Sequence, residues 1–586
     1  MFENFNNFNF TIYEDAPDEH TVAVDPEMLG HIFENLLEDN KCKGAFYTPK
    51  EIVHYMSKES LKAYLFVQDE KQFATDLAKT SIDKIVEQQE LNDEEKNFAE
   101  KNAFKIIDAL KQVKICDPAI GSGAFPMGLL QEIFNVQIFL LELSGFTKKI
   151  TDAEIKKHII EESIYGVDID AGAVDIARLR FWLSLVVDEE KPQPLPNLDF
   201  KIICANTLIP LGELSGFDME AKASLAVKEL ERIRNDFFNV SSESKLNLER
   251  RFKRVQTDLL SLRELTTRDN YEIYTKLYEF APFDFESAPC SWFDPWWMFG
   301  VKDGFDIVIG NPPYVQLQKN SGNLSKQYEK VKYLTFERTG DIYSLFYERG
   351  WQMLKQRGVL CFITSNKWMR AGYGESTRKF FAEHTNPVLL IDFAGKKVFE
   401  NATVDVNILM FTKDKNRQQT IACTVKEDVL NNLSVFVRQS ATECNFSSKE
   451  SWTILSLIEQ SIKRKIETVG IPLKDWDINI YRGILTGYNE AFIIDGKTKD
   501  ELIAQDPKSV EIIRPILRGK DIKRYNYEFA NKWLINSHNG VKEIGIKRIN
   551  IEDYPAVKKY LDSFWDDIKK RADQGDTYPP DKLQVS

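Results

Sequence analysis

Apolar positions recur along this chain with two different periods, and the places where one gives way to the other outline a fold. In "DPEMLGHIFENLLEDN", Leu29, Ile32, Phe33, Leu36 and Leu37 fall at helical spacing. Ile52, Val53 and Met56 do the same behind Thr48-Pro49-Lys50-Glu51, where a hydroxyl cap and an early proline mark a helix start. A third helical stretch, "DEEKNFAEKNAFKIIDALKQV", runs into "VKICDPAIGSGAF". From there to about residue 210, strand-like runs at 113–116, 164–167 and 200–204 alternate with helical ones at 124–143 and 170–187. That alternation predicts a parallel sheet with crossover helices.

Strand character fades over 210–300, which reads as a charged helical insertion. It returns at 306–309, 359–364, 388–393 and 406–411. After about residue 415 the texture changes to aromatic and basic residues mixed with turns. The expected organisation is a helical lead-in over 1–43, a catalytic α/β domain over 44–415 and a further domain over 416–586.

Composition narrows the class without naming a function. At 586 residues, 43% hydrophobic and 28% charged, the chain is an ordinary globular one. Its uninterrupted apolar runs are too short to cross a bilayer, so no membrane association is expected and the location is read as cytoplasmic. Seven scattered cysteines with no C-x-x-C suggest neither a disulfide framework nor a metal site. The net charge of −13 argues against a nucleic-acid partner taken globally. Between Arg514 and Arg548, however, nine basic residues face three acidic ones, enough for a local basic face.

Two strand ends carry the candidate chemistry. "CDPAIGSGAF" places Asp117, Ala119, Gly121 and Gly123 where a strand turns into a helix, whose N-terminus favours negative charge. Alone this is also what a plain strand-to-helix turn looks like. Downstream, "YGVDID" ends a second strand in Asp168, suited to ribose hydroxyls, with Ile169 placed to pack on an adenine face. The alternative is that these carboxylates cap the next helix, a reading that weighs less for Asp168 than for Asp170, where it is even. The G-x-G-x-x-G spacing that cradles a pyrophosphate is missing, which favours a nucleoside without phosphates. S-adenosylmethionine answers to this, with Asp117 near its ammonium.

The second strand end is "FDIVIGNPPYVQL", where Asn311, Pro312, Pro313 and Tyr314 follow a buried-strand run. Two prolines there forbid further ladder bonding and hold the loop rigid. An adenine amine is a poor nucleophile, and two acceptors aimed at its hydrogens would favour a tetrahedral nitrogen with its lone pair free. Tyr314 offers a stacking face for a base swung out of a duplex.

Taken together, "KGAFYTPKEIVHYM", "DPAIGSGAF", "YGVDID", "CANTL", "GNPPY", "GDIYSLF", "GVLCFITSNKWM" and "VFENATVDVNILMF" resemble the gamma-class N6-adenine DNA methyltransferases, most closely the methyltransferase region of type IIG restriction-modification enzymes. The resemblance implies a Rossmann-like S-adenosylmethionine-dependent methyltransferase sheet with a helical lead-in, a helical insertion and a partial target-recognition domain. It implies cofactor contacts from Phe46, Tyr47, Thr48, Pro49, Asp117, Ala119, Gly121, Gly123, Asp168 and Ile169. Asn206 stands where the family reaches the cofactor adenine, and reads equally as a polar strand-end residue. Asn311, Pro312, Pro313 and Tyr314 would be the catalytic tetrad, and Phe399 the aromatic on the far side of the flipped base, unless it is core. Residues 341–346 would line the site, with Trp368 and the 372–375 turn as a flap.

The final region resembles the start of the family's target-recognition domain, with Arg514, Arg518, Lys520 and Lys523 as phosphate contacts on duplex DNA. Only 43 residues precede Gly44, where type IIG enzymes place a nuclease, and the C-terminal region is short for the family. A separate restriction or specificity chain is therefore an expected partner within a restriction-modification or related phage-defence system. Two other readings stay open: an RNA-adenine or protein-glutamine methyltransferase with the same tetrad, and a remnant that no longer catalyses.

Overall fold

A computed structural model describes residues 46–570 except 69–74, 146–149, 187–196, 213–216, 239–241, 262–267, 284–287, 320–321, 400–403, 426–428, 479–485, 487, 539 and 541–544. The helical lead-in expected over 1–43 lies outside the described residues.

The first unit, Met1–Arg464, is built on a nine-stranded sheet. Its strands are β1 (Ile115–Asp117), β2 (Ile164–Asp168), β3 (Ile202–Cys204), β4 (Phe305–Gly310), β5 (Leu354–Ser365), β6 (Asn386–Asp392), β7 (Val406–Thr412), β8 (Thr420–Thr424) and β9 (Thr442–Cys444), in the order β3-β2-β1-β4-β5-β7-β6-β8-β9. The first five run parallel, while β7 is antiparallel to both β5 and β6. Order reverses between β1 and β4, which opens a crevice beyond their C-terminal ends, the usual ligand position in such sheets.

All six residues of β4 are buried, as is most of β5, because both faces of the sheet are covered. Alternate residues divide between two cores. Ile115, Ile164, Ile307, Ile309, Cys361 and Ile363 face one, and Cys116, Tyr165, Val308, Leu360 and Phe362 the other. The first core is closed by α1 (Lys50–Gln68), α2 (Asp76–Glu87), α3 (Asp93–Gln112) and α4 (Ala124–Leu143). Between the strands, α5 (Asp152–Glu162) and α6 (Ala171–Val186) form the crossovers. The insertion supplies α7 (Phe217–Phe238), α8 (Ser242–Ser261) and α9 (Arg268–Glu279), whose Phe237 and Phe252 pack edge-on or tilted against Phe200. Helix α10 (Tyr343–Met353) closes the second core.

Two expectations are revised. The first unit continues past residue 415, because β8 pairs with β6 and β9 with β8. And α4 is, among the described residues, the one helix long and apolar enough to cross a membrane. Here it packs against α1 and α3 and buries Leu129, Leu130, Ile133, Val136 and Leu140.

The second unit, Lys465–Ser586, holds a small antiparallel sheet of β10 (Ile493–Asp495), β12 (Lys532–Ile535) and β11 (Ile513–Pro515) over a core that includes Phe492, Leu502, Ile535 and Val557.

Helix α1 is pinned to α2 by one buried ammonium. Lys62 Nζ lies 2.8 Å from Glu59, 2.6 Å from Asp83 and 2.7 Å from Glu87. Burial pushes the Glu87 carboxyl up, but Lys62 and Lys58 outweigh it and hold the group below its ordinary value. A depressed carboxylate stabilises the fold above its unfolded pKa, and that share is lost as pH falls through the folded value. Lys62→Met is expected to cost about 2–3 kcal/mol at neutral pH, less than a fully buried triad because the carboxylates are partly exposed. Urea unfolding should show the deficit shrinking as the carboxylates protonate.

Candidate active site

The site forms where β1, β2 and β4 end side by side. Asp117 closes β1 fully buried, and its Oδ1 accepts from the Ala119 amide at 3.1 Å. Gly121 and Gly123 then take φ of 51° and 87°, left-handed values that a side chain would strain, and α4 begins at once. Asp168 ties this turn to the end of β2: Gly121 N donates to its Oδ2 and Asp170 N to its Oδ1, both at 2.9 Å. Asp170 has the capping role, accepting from Ala173 N at 3.2 Å. Between these carboxylates Ile169 is 57% exposed, an apolar face left open beside a polar turn.

Burial pushes the Asp117 carboxyl well up. It raises Asp168 too, against the pull of the backbone N–H groups it accepts from. Asn206, beyond β3, spends its side chain internally, accepting from Leu208 N at 3.1 Å and bonding Tyr328 Oη at 3.3 Å.

The tetrad leaves the end of β4 against the start of α1. Asn311 Nδ2 donates to the Phe46 carbonyl at 3.2 Å and to Thr48 Oγ1 at 3.1 Å. A carbonyl can only accept, so this pair fixes which end of the amide is nitrogen. The other end, Asn311 Oδ1, is buried and has no hydrogen-bond partner. Pro312 is buried and Pro313 half-buried. Tyr314 Oη donates to the Ile363 carbonyl at 3.2 Å, which anchors the ring to β5.

Around Tyr314 stands an aromatic group. Phe46 lies 5.4 Å from it, tilted 49°, and Tyr343 meets it edge-on at 5.9 Å. Phe399 is 2% exposed, stacks on Phe46 at 5.7 Å and lies 6.2 Å from Tyr314 at 57°. The structure therefore brings Phe399 to the tetrad, in contact with its rings and not parallel to Tyr314 across a slot. Behind them, Asp341 Oδ2 accepts from Tyr343 Oη at 3.2 Å and Tyr373 Oη at 3.0 Å.

Trp368 does not belong to a flap. It is fully buried, donates from Nε1 to Asn407 Oδ1 at 3.1 Å and packs on Phe381 and Trp452. In the second unit, Arg514, Lys520 and Lys523 are exposed. Arg518 instead makes a two-pronged pair with Asp521, at 2.9 Å for both bonds, and Lys523 lies 3.4 Å from Glu528.

Two roles were not foreseen from the sequence. Thr48, expected at the cofactor, orients Asn311. Gly310, one residue ahead of the tetrad, has no room for a side chain, since a Cβ there would sit 2.6 Å from Asp117 Oδ1. The signal for Gly310 was its place at the end of a fully buried strand, directly ahead of Asn311 and the two prolines.

Comparisons with known proteins point to restriction-modification methyltransferases. Residues 162–399 match the family model of the Eco57I restriction-modification methylase. The chain is 25% identical over 481 residues to the type II restriction enzyme and methyltransferase RM.Eco57I of Escherichia coli, covering 76% of this chain and 40% of that protein. It is 27% identical over 288 residues to the type II methyltransferase M.BstVI of Geobacillus stearothermophilus, covering 46% of this chain and 49% of that one. It thus matches less than half the length of either relative. Among solved structures, the type IIL restriction-modification enzyme MmeI in complex with DNA shares the fold with a TM-score of 0.51 at 12% identity, over 96% of this chain and 60% of that one.

Gly310→Ala is expected to destabilise the first unit by about 1–3 kcal/mol, because Asp117 is buried and cannot move aside freely. Chemical denaturation of the variant beside wild type measures this directly.

Proposed function

We propose that this chain, whose residues 162–399 match the Eco57I restriction-modification methylase family model, transfers a methyl group from S-adenosylmethionine to the N6 amine of adenine in duplex DNA. One observation supports the reading above the others: the buried Asn311 Oδ1 is an acceptor with no donor, on an amide whose nitrogen donates to the Phe46 carbonyl and to Thr48 Oγ1. A buried acceptor left without a partner costs stability, and a ligand amine is the group that would relieve it.

The residues present suit the cofactor. Ile169 offers an exposed apolar face to the adenine, Asp168 keeps carboxylate lone pairs beyond its two backbone bonds for the ribose, and Asp117 is a buried carboxylate that a cationic ammonium would stabilise. When bound, S-adenosylmethionine supplies the electrophilic methyl carbon. In this reading Phe46, Tyr47, Thr48 and Pro49 ahead of and at the start of α1 would contact the cofactor, as would Ala119, Gly121 and Gly123 in the glycine turn.

Asn311 Oδ1 and the Pro312 carbonyl accept the two amine hydrogens and draw the nitrogen toward tetrahedral geometry, freeing its lone pair. The prolines keep both acceptors in place while Tyr314 stacks on the base, with Phe399 on its other side. With the cofactor bound, the amine nitrogen would accept its methyl carbon as the carbon–sulfur bond breaks, and one amine proton would be released to solvent. Positioning and polarisation carry the rate, so no strong base is needed. Arg514, Lys520 and Lys523 bind backbone phosphates of the duplex. Arg518 shapes the loop that presents them, through Asp521.

Expression in a methylation-free host, followed by mapping of N6-methyladenine, tests the proposal, with purified protein assayed in parallel on DNA, RNA and release-factor protein. Methylated adenines in DNA are expected. They should fall by roughly a hundredfold or more in Asn311→Ala, with cofactor affinity retained. Label confined to RNA or protein would overturn the DNA assignment, and no methylation of any substrate would favour a silent remnant.

Thr48→Val keeps shape but removes the acceptor that orients Asn311, and is expected to lower kcat roughly tenfold, a larger effect than any change in cofactor affinity. Single-turnover kinetics would detect it. Arg514→Ala should weaken DNA binding evenly across sequences and reduce the salt slope by about one.

A further inference from the structure

At the opposite ends of the strands, where β1 to β5 begin, lies a cavity of about 400 Å³. Its size falls in the range of small-molecule sites. It is lined by Tyr165, Lys201, Arg234, Lys302, Glu161 and Glu231 among others, none of which takes part in the chemistry of the tetrad.

The charges of this cavity are unequally buried. Lys201 and Arg234 are each only 4% exposed, whereas Glu161 and Glu231 are half-buried and Lys302 and Asp303 are exposed. Two further lysines on the wall are neutralised: Lys114 pairs with Glu162 at 3.2 Å, and Lys355 with Asp306 at 2.8 Å. Lys201 Nζ sits 3.8 Å from the centre of the Tyr165 ring. Arg234 donates from Nη1 to the Trp297 carbonyl at 2.8 Å, yet its Nη2 is buried without a hydrogen-bond partner. No carboxylate among the described residues comes within ion-pair distance of it.

A guanidinium buried this way is costly unless an anion meets it, and planar oxyanions suit its fork. Lys201 and Arg234 lie deepest, with the acidic groups and Lys302 more exposed. We propose that this cavity binds a small phosphate-bearing anion, received by Arg234 Nη2 with Lys201 and Lys302 beside it. Free phosphate and the phosphoryl group of a mononucleotide share this chemistry. The site lies a full strand away from the tetrad, so the proposal does not depend on the methyl-transfer reading.

Isothermal titration of the full chain with inorganic phosphate, and separately with cytidine monophosphate, tests it. A pyrimidine nucleotide avoids competition at a site suited to adenosine. Saturable one-to-one binding is expected, with tighter binding of cytidine monophosphate identifying a nucleotide source and equal affinities identifying phosphate alone. Arg234→Gln should weaken binding at least tenfold. Should that buried change impair folding, two milder variants carry opposite signs: Lys302→Ala is expected to weaken binding severalfold, and Glu161→Gln, which removes a negative charge from the cavity, to strengthen it. Asp168→Ala, at the other end of the strands, should leave both titrations unchanged. Absence of saturable binding at millimolar concentrations, or affinities indifferent to both Lys302→Ala and Glu161→Gln, would overturn the proposal.

Discussion

The amide nitrogen of Asn311 is held by two acceptors that lie 265 and 263 residues earlier in the chain, and the geometry of the candidate site follows from that contact. Phe46 and Thr48 sit immediately ahead of α1, so their positions are set by how that helix docks. Ile52, Val53 and Met56 bury one side of α1 in the core beneath the sheet, and Lys62 fastens the helix to α2 through Asp83 and Glu87. The orientation of one amide thus rests on apolar packing and on an ion cluster remote from it. A loop alone could not hold the amide oxygen bare, because a mobile side chain would turn to find a donor.

A second constraint acts at right angles to the first. Because β1 and β4 are neighbours, the Gly-rich turn and the tetrad are forced together, and Gly310 permits Asp117 to lie against the tetrad's own strand. The cost is a carboxylate pressed into the interior, its proton affinity raised by burial. With Asp168 similarly raised beside it, the turn is short of positive charge. That electrostatic character suits a ligand carrying a cationic end, and it arises from the strand order without any basic residue being required.

Much of this was legible in the sequence because fully buried parallel strands write themselves as unbroken apolar runs. Residues 306–309 and 359–364 fall inside β4 and β5, and α4 has the bounds that periodicity predicts. The edge of the sheet was not legible. In β8, "TIACT" is short and weakly apolar, and it follows the charged turn at Lys413 to Gln418, so the change in texture looked like a domain boundary. The antiparallel insertion of β7 leaves no local trace, since direction is decided by a partner and not by composition. Side-chain partners were equally hidden. A tryptophan in a Gly-rich neighbourhood read as a flap, yet Trp368 is core, and a basic run gave no hint that Arg518 is bound to Asp521. Residue types announce chemistry, whereas the pairings that orient or neutralise them depend on distant segments.

The aromatic group at the tetrad adds an energetic argument to the proposed reading. Tyr314, Phe46 and Phe399 are in mutual contact, so a base can enter between Tyr314 and Phe399 only by separating them. Such ring contacts contribute roughly 0.5–1.5 kcal/mol each. Stacking of a base on an aromatic face is worth about 1–3 kcal/mol, so opening the rings and filling the gap is nearly balanced. The Asn311 oxygen is buried, and a flat ring entering here would separate Phe399 from Tyr314. An amine attached to such a ring would then arrive at the acceptor in a dry environment, where polarisation is strongest. Selectivity for a stacked, amine-bearing ring would follow from the closed state itself, before any contact outside the site is made.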